Sequence, residues 1–156
     1  MLTEQMTAQE VFDKYKDDML KLIGYLDWLE EKSGKSKVSD IYNGDGLDQH
    51  SISFPVFDGN LLRFVKDAEN TLFMDRNYVY VISRNRLKSA EDEVEFVSRQ
   101  TMRQMDNIGG VLTKYVRGGR TKAVLWSEAM DKGVFLAIVR RLKELYDIGL
   151  NGMVEQ

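Results

Sequence analysis

Apolar residues recur at intervals of three and four along most of this chain, the pattern of helices with one buried face. Thr7 and Glu10 have the spacing of a capping box, which begins a helix, and Gly34 supplies a stop. The apolar positions between them follow a heptad step and are Phe12, Tyr15, Met19, Leu22, Leu26 and Leu29. The pattern predicts one long helix from Thr7 to Gly34.

A second run of helical periodicity leads to the sequence Arg117–Gly118–Gly119–Arg120. Its apolar positions are Met105, Ile108, Leu112 and Tyr115. Because glycine adopts the left-handed conformation that closes a helix, we expect Gly118 or Gly119 to end this one. Arg117 and Arg120 would then meet the free carbonyl groups at the negative end of the helix dipole.

Two further helices are predicted after this corner. The first spans Ala123 to Asp131, and Gly133 separates it from the second, Val134 to Tyr146. The inward positions of the second are Phe135, Ile138, Val139, Leu142, Leu145 and Tyr146.

The stretch between the first helix and the middle of the chain is less regular. Residues 35–50 contain Asn43–Gly44–Asp45–Gly46 and are interpreted as a loop. Residues 51–57 alternate and are expected to be extended, and Pro55 excludes a central strand there. Asp58 is a candidate cap for a short helix from Asn60 to Ala68.

The next segment admits two interpretations. Residues 78–82, Tyr-Val-Tyr-Val-Ile, favour a strand by composition, but they are few and lack an evident partner strand, so we favour a helix. The state of residues 72–83 stays open. Ser89 and Asp92 indicate a helix start, with the helix running toward Gln104, and Gly109–Gly110 should bend or break the chain before Leu112.

These elements predict a mainly α protein: one domain, residues 1–156, of about five to six helices, with a short extended segment or hairpin near 51–57 and 78–82. A chain of 156 residues is long enough to bury a substantial core. It contains no cysteine, no basic leader and no apolar run of about 18 residues, which a membrane span would need. We therefore expect a cytoplasmic protein without disulfides and without a membrane partner.

The segment from Val111 to Leu145 resembles a bacterial domain of unknown function. That family's core reads LT, three residues, RGERF, one residue, DG, then E-x-G and LxRL. The matching residues here are Leu112, Thr113, Arg117, Gly118, Arg120, Gly133, Leu136, Arg141 and Leu142. The sequence departs from the core at Gly119, Thr121 and Ala123–Val124, where the family has Glu, Phe and Asp-Gly. The resemblance implies a mostly helical domain with no assigned activity.

Charge is distributed unevenly along the chain. Residues 1–50 hold eleven carboxylates and six basic side chains, a net charge of −5, whereas residues 99–156 hold six and ten, a net charge of +4. We expect the acidic first helix to pack near the basic last one. Otherwise the acidic side chains Asp17, Asp18, Glu30 and Glu31 are candidates for binding a basic surface, as in an inhibitor carried by a phage or other mobile element.

Catalytic and cofactor motifs are missing from the sequence. The single histidine, His50, lies in a polar loop, and no serine has a nucleophile-elbow motif around it. Gly118–Gly119 lacks the spacing of a phosphate-binding loop. A weak metal site of His50 with Asp45 and Asp48 stays open, but we predict no metal and no cofactor. A small enzyme with a carboxylate-based site is the second alternative function.

Nucleic-acid binding is the first alternative. Ala129, Gly133, Val139 and Leu142 fall at the small, turn and core positions of a helix-turn-helix, which would place Val134 to Lys143 in the major groove. The candidate contacts are Lys114, Arg117, Arg120, Lys122, Arg140 and Arg141. The first exposed positions of that helix are apolar and offer no donors to base edges.

The function that we favour from the sequence is non-catalytic binding of another protein. The candidate contacts are Tyr115, Arg117, Arg120 and Trp126, because arginine and aromatic residues dominate energetic hot spots. A homodimer through the heptad face of the helix 12–29 is a further hypothesis for the partner.

Overall fold

The computed structural model describes residues 2–34, 39–42 and 54–152 of the 156-residue chain, and within these ranges the chain is mainly helical. The predicted fold class is confirmed. The elements are α1 (Ala8–Ile23), α2 (Leu26–Lys32), β1 (Ser39–Tyr42), β2 (Phe54–Phe57), α3 (Gly59–Glu69), α4 (Tyr78–Arg84), α5 (Ala90–Ser98), α6 (Met105–Thr121), α7 (Val124–Asp131) and α8 (Val134–Leu150). Single turns of 3-10 helix lie at Thr3–Gln5 and Met102–Gln104.

Helix α8 is the centre of the core. It packs against α1, α2, α5, α6 and α7. Its fully buried apolar residues are Val134, Phe135, Ile138, Val139, Leu142 and Leu145. They join the buried residues of the other helices in one hydrophobic cluster, so the chain forms a single compact helical domain.

The predicted long N-terminal helix is divided in two. Its start is confirmed, since Thr7 and Glu10 exchange the two hydrogen bonds of a capping box at 2.9 and 3.1 Å. The prediction of a continuous helix to Gly34 is wrong, because the chain tightens at Gly24 and Tyr25, where the Tyr25 amide bonds the Leu22 carbonyl at 3.0 Å. Glycine is about 1 kcal/mol less favourable than alanine inside a helix, so the predicted helix is interrupted at Gly24.

The other predicted helix starts are also found. Asp58 accepts a hydrogen bond from the Asn60 amide at 2.7 Å and caps α3, and Ser89 accepts from the Asp92 amide at 3.1 Å and caps α5. Helix α5 ends at Ser98, short of the predicted extension toward Gln104. Gly133 separates α7 from α8 with a φ of 74°, a conformation that favours glycine.

The two segments for which an extended state was considered, near residues 51–57 and 78–82, differ in the structure. Residues 54–57 are extended, as predicted, and pair antiparallel with β1 in a two-stranded ribbon in which Pro55 lies opposite Ile41. Residues 78–84 form helix α4. The interpretation of 35–50 entirely as a loop is wrong, because Ser39–Tyr42 is β1. The turn at 43–46 and the open metal hypothesis of Asp45, Asp48 and His50 lie outside the described residues.

Helix α6 runs without interruption through both glycine pairs. The predictions that Gly118 or Gly119 ends it and that Gly109–Gly110 breaks it are wrong. These glycines permit close approach: a Cβ atom would lie 2.6 Å from the Phe73 carbonyl oxygen at Gly109 and 2.8 Å from the Val81 side chain at Gly110. In α6 these glycines therefore serve close packing: because they have no side chain, Phe73 and Val81 can approach the helix backbone.

Candidate binding cleft

Tyr115, predicted to contact a partner, is completely buried in α6. Its hydroxyl donates a hydrogen bond to the Glu93 carboxylate, and its ring meets the edge of Phe135 with centroids 6.2 Å apart. Burial, followed by the hydrogen bond and charge of Glu93, raises the pKa of Tyr115. In this position Tyr115 stabilises the fold and offers no surface to a partner.

Glu93 is a buried carboxylate that sequence reasoning did not single out. Its side chain is 0% exposed, and it accepts hydrogen bonds from Tyr115 and from the Lys114 ammonium group, which lies 2.7 Å away. A buried charge is tolerated when a counter-charge and hydrogen bonds compensate its lost hydration. Glu93 therefore joins α5 to α6.

Trp126, the second aromatic candidate contact, is 5% exposed. Its Nε1 donates to the Val116 carbonyl oxygen at 3.3 Å, and its ring lies where a Cβ of Gly119 would be. The Arg120 guanidinium group is 5.2 Å from the ring centroid and donates two hydrogen bonds to Glu69, which raises the pKa of Arg120. Trp126 is thus a core residue, and Arg120 covers it.

The basic residues proposed for nucleic-acid binding are largely engaged within the chain. Besides the pairs of Lys114 and Arg120, Arg140 lies 3.6 Å from Glu30, and Nε of Arg141 donates to the Gln100 carbonyl oxygen at 2.7 Å. The pair between Arg140 and Glu30 also shows part of the acidic N-terminal region packed against the basic last helix.

Arg117 and Lys122 are the two candidate cations with exposed side chains and no ion pair among the described residues. The helix predicted to enter the major groove is α8, whose first residues, Val134 and Phe135, are 0% exposed. A helix in this position does not present its N-terminal turn to DNA.

The heptad face proposed as a dimer seam is also buried within the chain. Phe12, Tyr15, Met19, Leu22 and Leu29 are at most 5% exposed. Helix α1 packs against α8, and a Cβ at Gly149 would lie 2.2 Å from the Phe12 ring. The heptad face is therefore a core face, as coiled-coil spacing over so few heptads often is.

Two adjoining open clefts lie at the other end of α6, where the sequence predicted no site. The aspartate cleft has a volume of about 390 Å³ and is lined by Leu2, Gln5, Tyr15, Leu72, Phe73, Met74, Asp75, Met105 and Asp106. The α4 cleft has a volume of about 480 Å³ and is lined by Leu2, Glu4, Asp75, Asn77, Tyr80, Val81, Arg84, Asp106 and Asn107. Since Leu2, Asp75 and Asp106 line both, the clefts are continuous.

Backbone amides hold the carboxylates of this region in place. Asp106 accepts from the Thr3 amide at 2.8 Å, and Asp75 accepts from the Asn77 amide at 2.8 Å. Asp18, on α1, accepts from the amide of Leu72 at 2.9 Å. Charge-assisted bonds of this kind fix the orientation of a carboxylate.

Tyr15 forms the inner wall of the aspartate cleft. It is 4% exposed and stacks on Phe73, with ring centroids 5.0 Å apart. Burial, followed by the charges of Asp106, Asp18 and Asp75, raises the pKa of Tyr15 to about 12. The phenol therefore stays protonated beside three carboxylates.

Exposed apolar side chains lie among the polar and charged residues that line the two clefts. Leu2, Leu72 and Tyr80 are 60%, 59% and 64% exposed, and Val79, next to Tyr80 on α4, is 62% exposed. Leu2, Leu72 and Tyr80, which line the clefts, are three of the eight large apolar residues that are exposed in the described ranges. Concentration of exposed apolar surface around a concave site is typical of binding surfaces.

Sequence reasoning missed this site because its residues come from four separate segments. One signal was present: Leu72–Met74 and Tyr78–Ile82 are uninterrupted apolar or aromatic runs, and a helix on a core surface buries only part of such a run. Phe73 and Val81 are buried, so their neighbours Leu72 and Tyr80 face outward.

Together, the fold and the clefts define a small helical domain with two open clefts lined by carboxylates and apolar side chains. The chain belongs to DUF6508, a family of unknown function, whose sequence profile matches residues 15–148. This agrees with the resemblance to an uncharacterised domain family; the particular motif proposed for residues 111–145 stays a prediction. No curated protein and no solved structure matches the chain.

Two properties of the described residues concern membranes and metals. No helix there combines the length and the apolar character that crossing a membrane requires. In the same ranges, no three His, Asp or Glu side chains are grouped so that they would hold a metal ion.

Proposed function

We propose that this protein is a non-catalytic protein-binding module that holds a segment of its partner in the two adjoining clefts. The observation that carries the proposal is the exposed apolar side chains that line the clefts, Leu2, Leu72 and Tyr80. Such residues gain about 25 cal/mol for each Å² removed from water, so they favour a partner that covers them.

The shape and chemistry of the clefts favour a segment of polypeptide. Tyr80 has the Arg84 guanidinium group 6.0 Å from its ring centroid, and Arg84 also lies 4.0 Å from Glu4. Aromatic and arginine side chains at a cleft rim are typical of interface hot spots. Asn77 and Asn107, which line the α4 cleft, supply polar groups for a backbone.

This proposal moves the binding surface away from the residues that the sequence favoured. Tyr115 and Trp126 are core residues, which leaves Arg117 and Arg120 as the exposed part of that corner. Arg120 is already bonded to Glu69, so a partner there would have to displace an existing ion pair.

The test is selection of peptides from a random dodecamer library against the immobilised protein. Each selected peptide is then titrated against Leu72→Asp/Tyr80→Asp and against a matched control, Val124→Asp/Leu150→Asp. Val124 and Leu150 are 58% and 62% exposed, so both variants add the same charge at exposed apolar positions. Val124 lies just past the far end of α6, a helix roughly 25 Å long at 1.5 Å per residue.

We expect selected peptides to bind the wild-type protein and the control alike and to bind the cleft variant at least about tenfold more weakly, a difference of about 1.4 kcal/mol. If no peptide is enriched, or if the selected peptides bind all three proteins equally, these clefts are not the binding surface. Circular dichroism of each variant confirms that the fold is retained.

A further inference from the structure

We infer that the aspartate cleft is a subsite for the cationic end of a lysine or arginine side chain of the bound partner. The inference deepens the proposed function and rests on it. It is carried by fixed carboxylates, a phenol without a hydrogen-bond partner among the described residues, and apolar walls, which line one cleft of about 390 Å³.

Asp75 and Asp106 can each accept a further hydrogen bond from a ligand. Asp75 uses Oδ1 for the Asn77 amide, and Asp106 uses Oδ2 for the Thr3 amide. The second oxygen of each has no hydrogen-bond partner within the described part of the chain. Because backbone amides already fix these carboxylates, a ligand cation meets them without the cost of ordering flexible side chains.

The Tyr15 hydroxyl is a second, independent indication of a ligand. Tyr15 is 96% buried, yet its hydroxyl makes no hydrogen bond to any residue that the structure describes. Tyr15 lines the same cleft as Asp75 and Asp106. The hydroxyl is not one of the fully buried side-chain atoms that lack a partner in the described ranges, which are Trp28 Nε1 and Ser33 Oγ, so it is accessible to water or to a ligand that enters the cleft.

The donors of a lysine ammonium match these acceptors. It carries three N–H groups, and Asp75, Asp106 and the Tyr15 hydroxyl provide three acceptors. None of the residues that line the cleft is basic. Arg84 lines the adjoining α4 cleft, which shares Leu2, Asp75 and Asp106 with the aspartate cleft.

The remaining walls suit the methylene stem of such a side chain. Leu72, Phe73, Met74 and Met105 supply apolar surface beside the carboxylates. Long basic side chains lay their stems on apolar surface and keep their charged ends at polar groups. The exposed Leu72 continues this surface to the rim, where the neighbouring residues of the partner would lie.

The experiment uses capped lysine, N-acetyl-lysine N-methylamide, as the probe, with capped norleucine as a neutral control with the same stem length but no ammonium group. Proton–nitrogen correlation spectra of the isotope-labelled protein are recorded over millimolar concentrations of each. We expect saturable shifts at the amides of Leu72, Asp75 and Asp106 with capped lysine and smaller shifts with capped norleucine. Shifts of equal size with both probes, or shifts spread over all acidic surfaces, would overturn the inference.

Two variants sharpen the test. Asp75→Asn and Asp106→Asn each keep an oxygen that accepts the backbone amide, so the local structure is retained while one charge is lost. We expect each to weaken binding of capped lysine about tenfold, the usual order for loss of a hydrogen bond to a charged group. The matched control is Asp17→Asn, which removes the same charge from an exposed position on α1 and should leave binding unchanged.

The outcomes separate this inference from the proposed function. If selected peptides bind through Leu72 and Tyr80 but contain no essential basic residue, and Asp75→Asn binds them normally, the subsite is wrong and the binding module stands. If capped lysine binds at the cleft but no peptide is enriched, the subsite stands and the proposed protein-binding function fails.

Discussion

The indole of Trp126 lies directly over Gly119, so that a Cβ atom at Gly119 would be 2.0 Å from Nε1 of the indole. Helix α7 can pack on α6 at this separation only because position 119 has no side chain.

The first prediction concerns this contact. Gly119→Ala should lower the free energy of unfolding by about 1–3 kcal/mol, because overpacking of a buried contact outweighs the gain in helix propensity. Gly59→Ala is the control, since its Cβ would find its nearest neighbour at 3.7 Å. Urea denaturation should show Gly59→Ala equal to the wild type or slightly more stable. If Gly119→Ala is as stable as the wild-type protein, α7 can shift away from α6 without loss of stability, and the prediction is wrong.

The second prediction concerns the buried carboxylate. Glu93→Ala should lower the free energy of unfolding by about 3–5 kcal/mol, because the Tyr115 hydroxyl and Lys114 would lose their partner in the core. Tyr115→Phe should cost less, about 1.5–3 kcal/mol for one hydrogen bond to a charged group. A double-mutant cycle by urea denaturation measures the coupling, and additive effects would show that the contact contributes nothing.

The third prediction concerns alkaline pH. Burial raises the pKa values of Tyr15 and Tyr25 to about 12, and that of Tyr115 also rises above the ordinary value of 10. Above pH 10 the unfolded chain releases these phenolic protons while the folded chain keeps them. Their contribution to stability is therefore complete below pH 10 and falls as pH rises toward the folded pKa values.

Ultraviolet absorbance of the phenolate measures this directly. Of the seven tyrosines in the chain, these three should ionise late and together with unfolding. Tyr115→Phe should reduce the loss of unfolding free energy above pH 10, by up to about 1.4 kcal/mol per pH unit. If all tyrosines titrate near pH 10 in the folded protein, the buried environment assigned to Tyr115 is wrong.

The fourth prediction addresses the nucleic-acid alternative. Fluorescence anisotropy of labelled duplex DNA and single-stranded RNA should stay flat near 0.15 M salt, because Lys114, Arg120 and Arg140 are paired within the chain. Affinity that falls log-linearly with salt, with a smaller slope for Arg117→Ala/Lys122→Ala, would instead establish a nucleic-acid surface.

Local signals in the sequence predicted the places where helices begin. Thr7 with Glu10, Asp58 and Ser89 each cap the helix expected of them, because a cap depends on residues within one turn. Helical periodicity identified the buried faces for the same reason. The composition of residues 78–82 favours a strand, and the helix was favoured because the segment is short and lacks an evident partner strand.

The structural roles of Gly118–Gly119 and of two aromatic residues could not be predicted from their neighbours in the sequence. Gly118–Gly119 has the appearance of a helix end, but Trp126 fills the space beside Gly119 and the helix continues. Likewise, Tyr115 and Trp126 resemble interface residues until their neighbours are known. An exposed hot spot and a core residue share the same side-chain chemistry, so burial alone separates them.

By itself, therefore, the sequence determined that this chain is a mainly helical domain, where most helices start, and which face of each is buried. These properties depend on residues three or four positions apart. Only the tertiary structure decided the site, because the aspartate cleft joins residues from the first turn of the chain, α1, the segment around Phe73 and the start of α6. Their proximity follows from packing around α8, which no local pattern records.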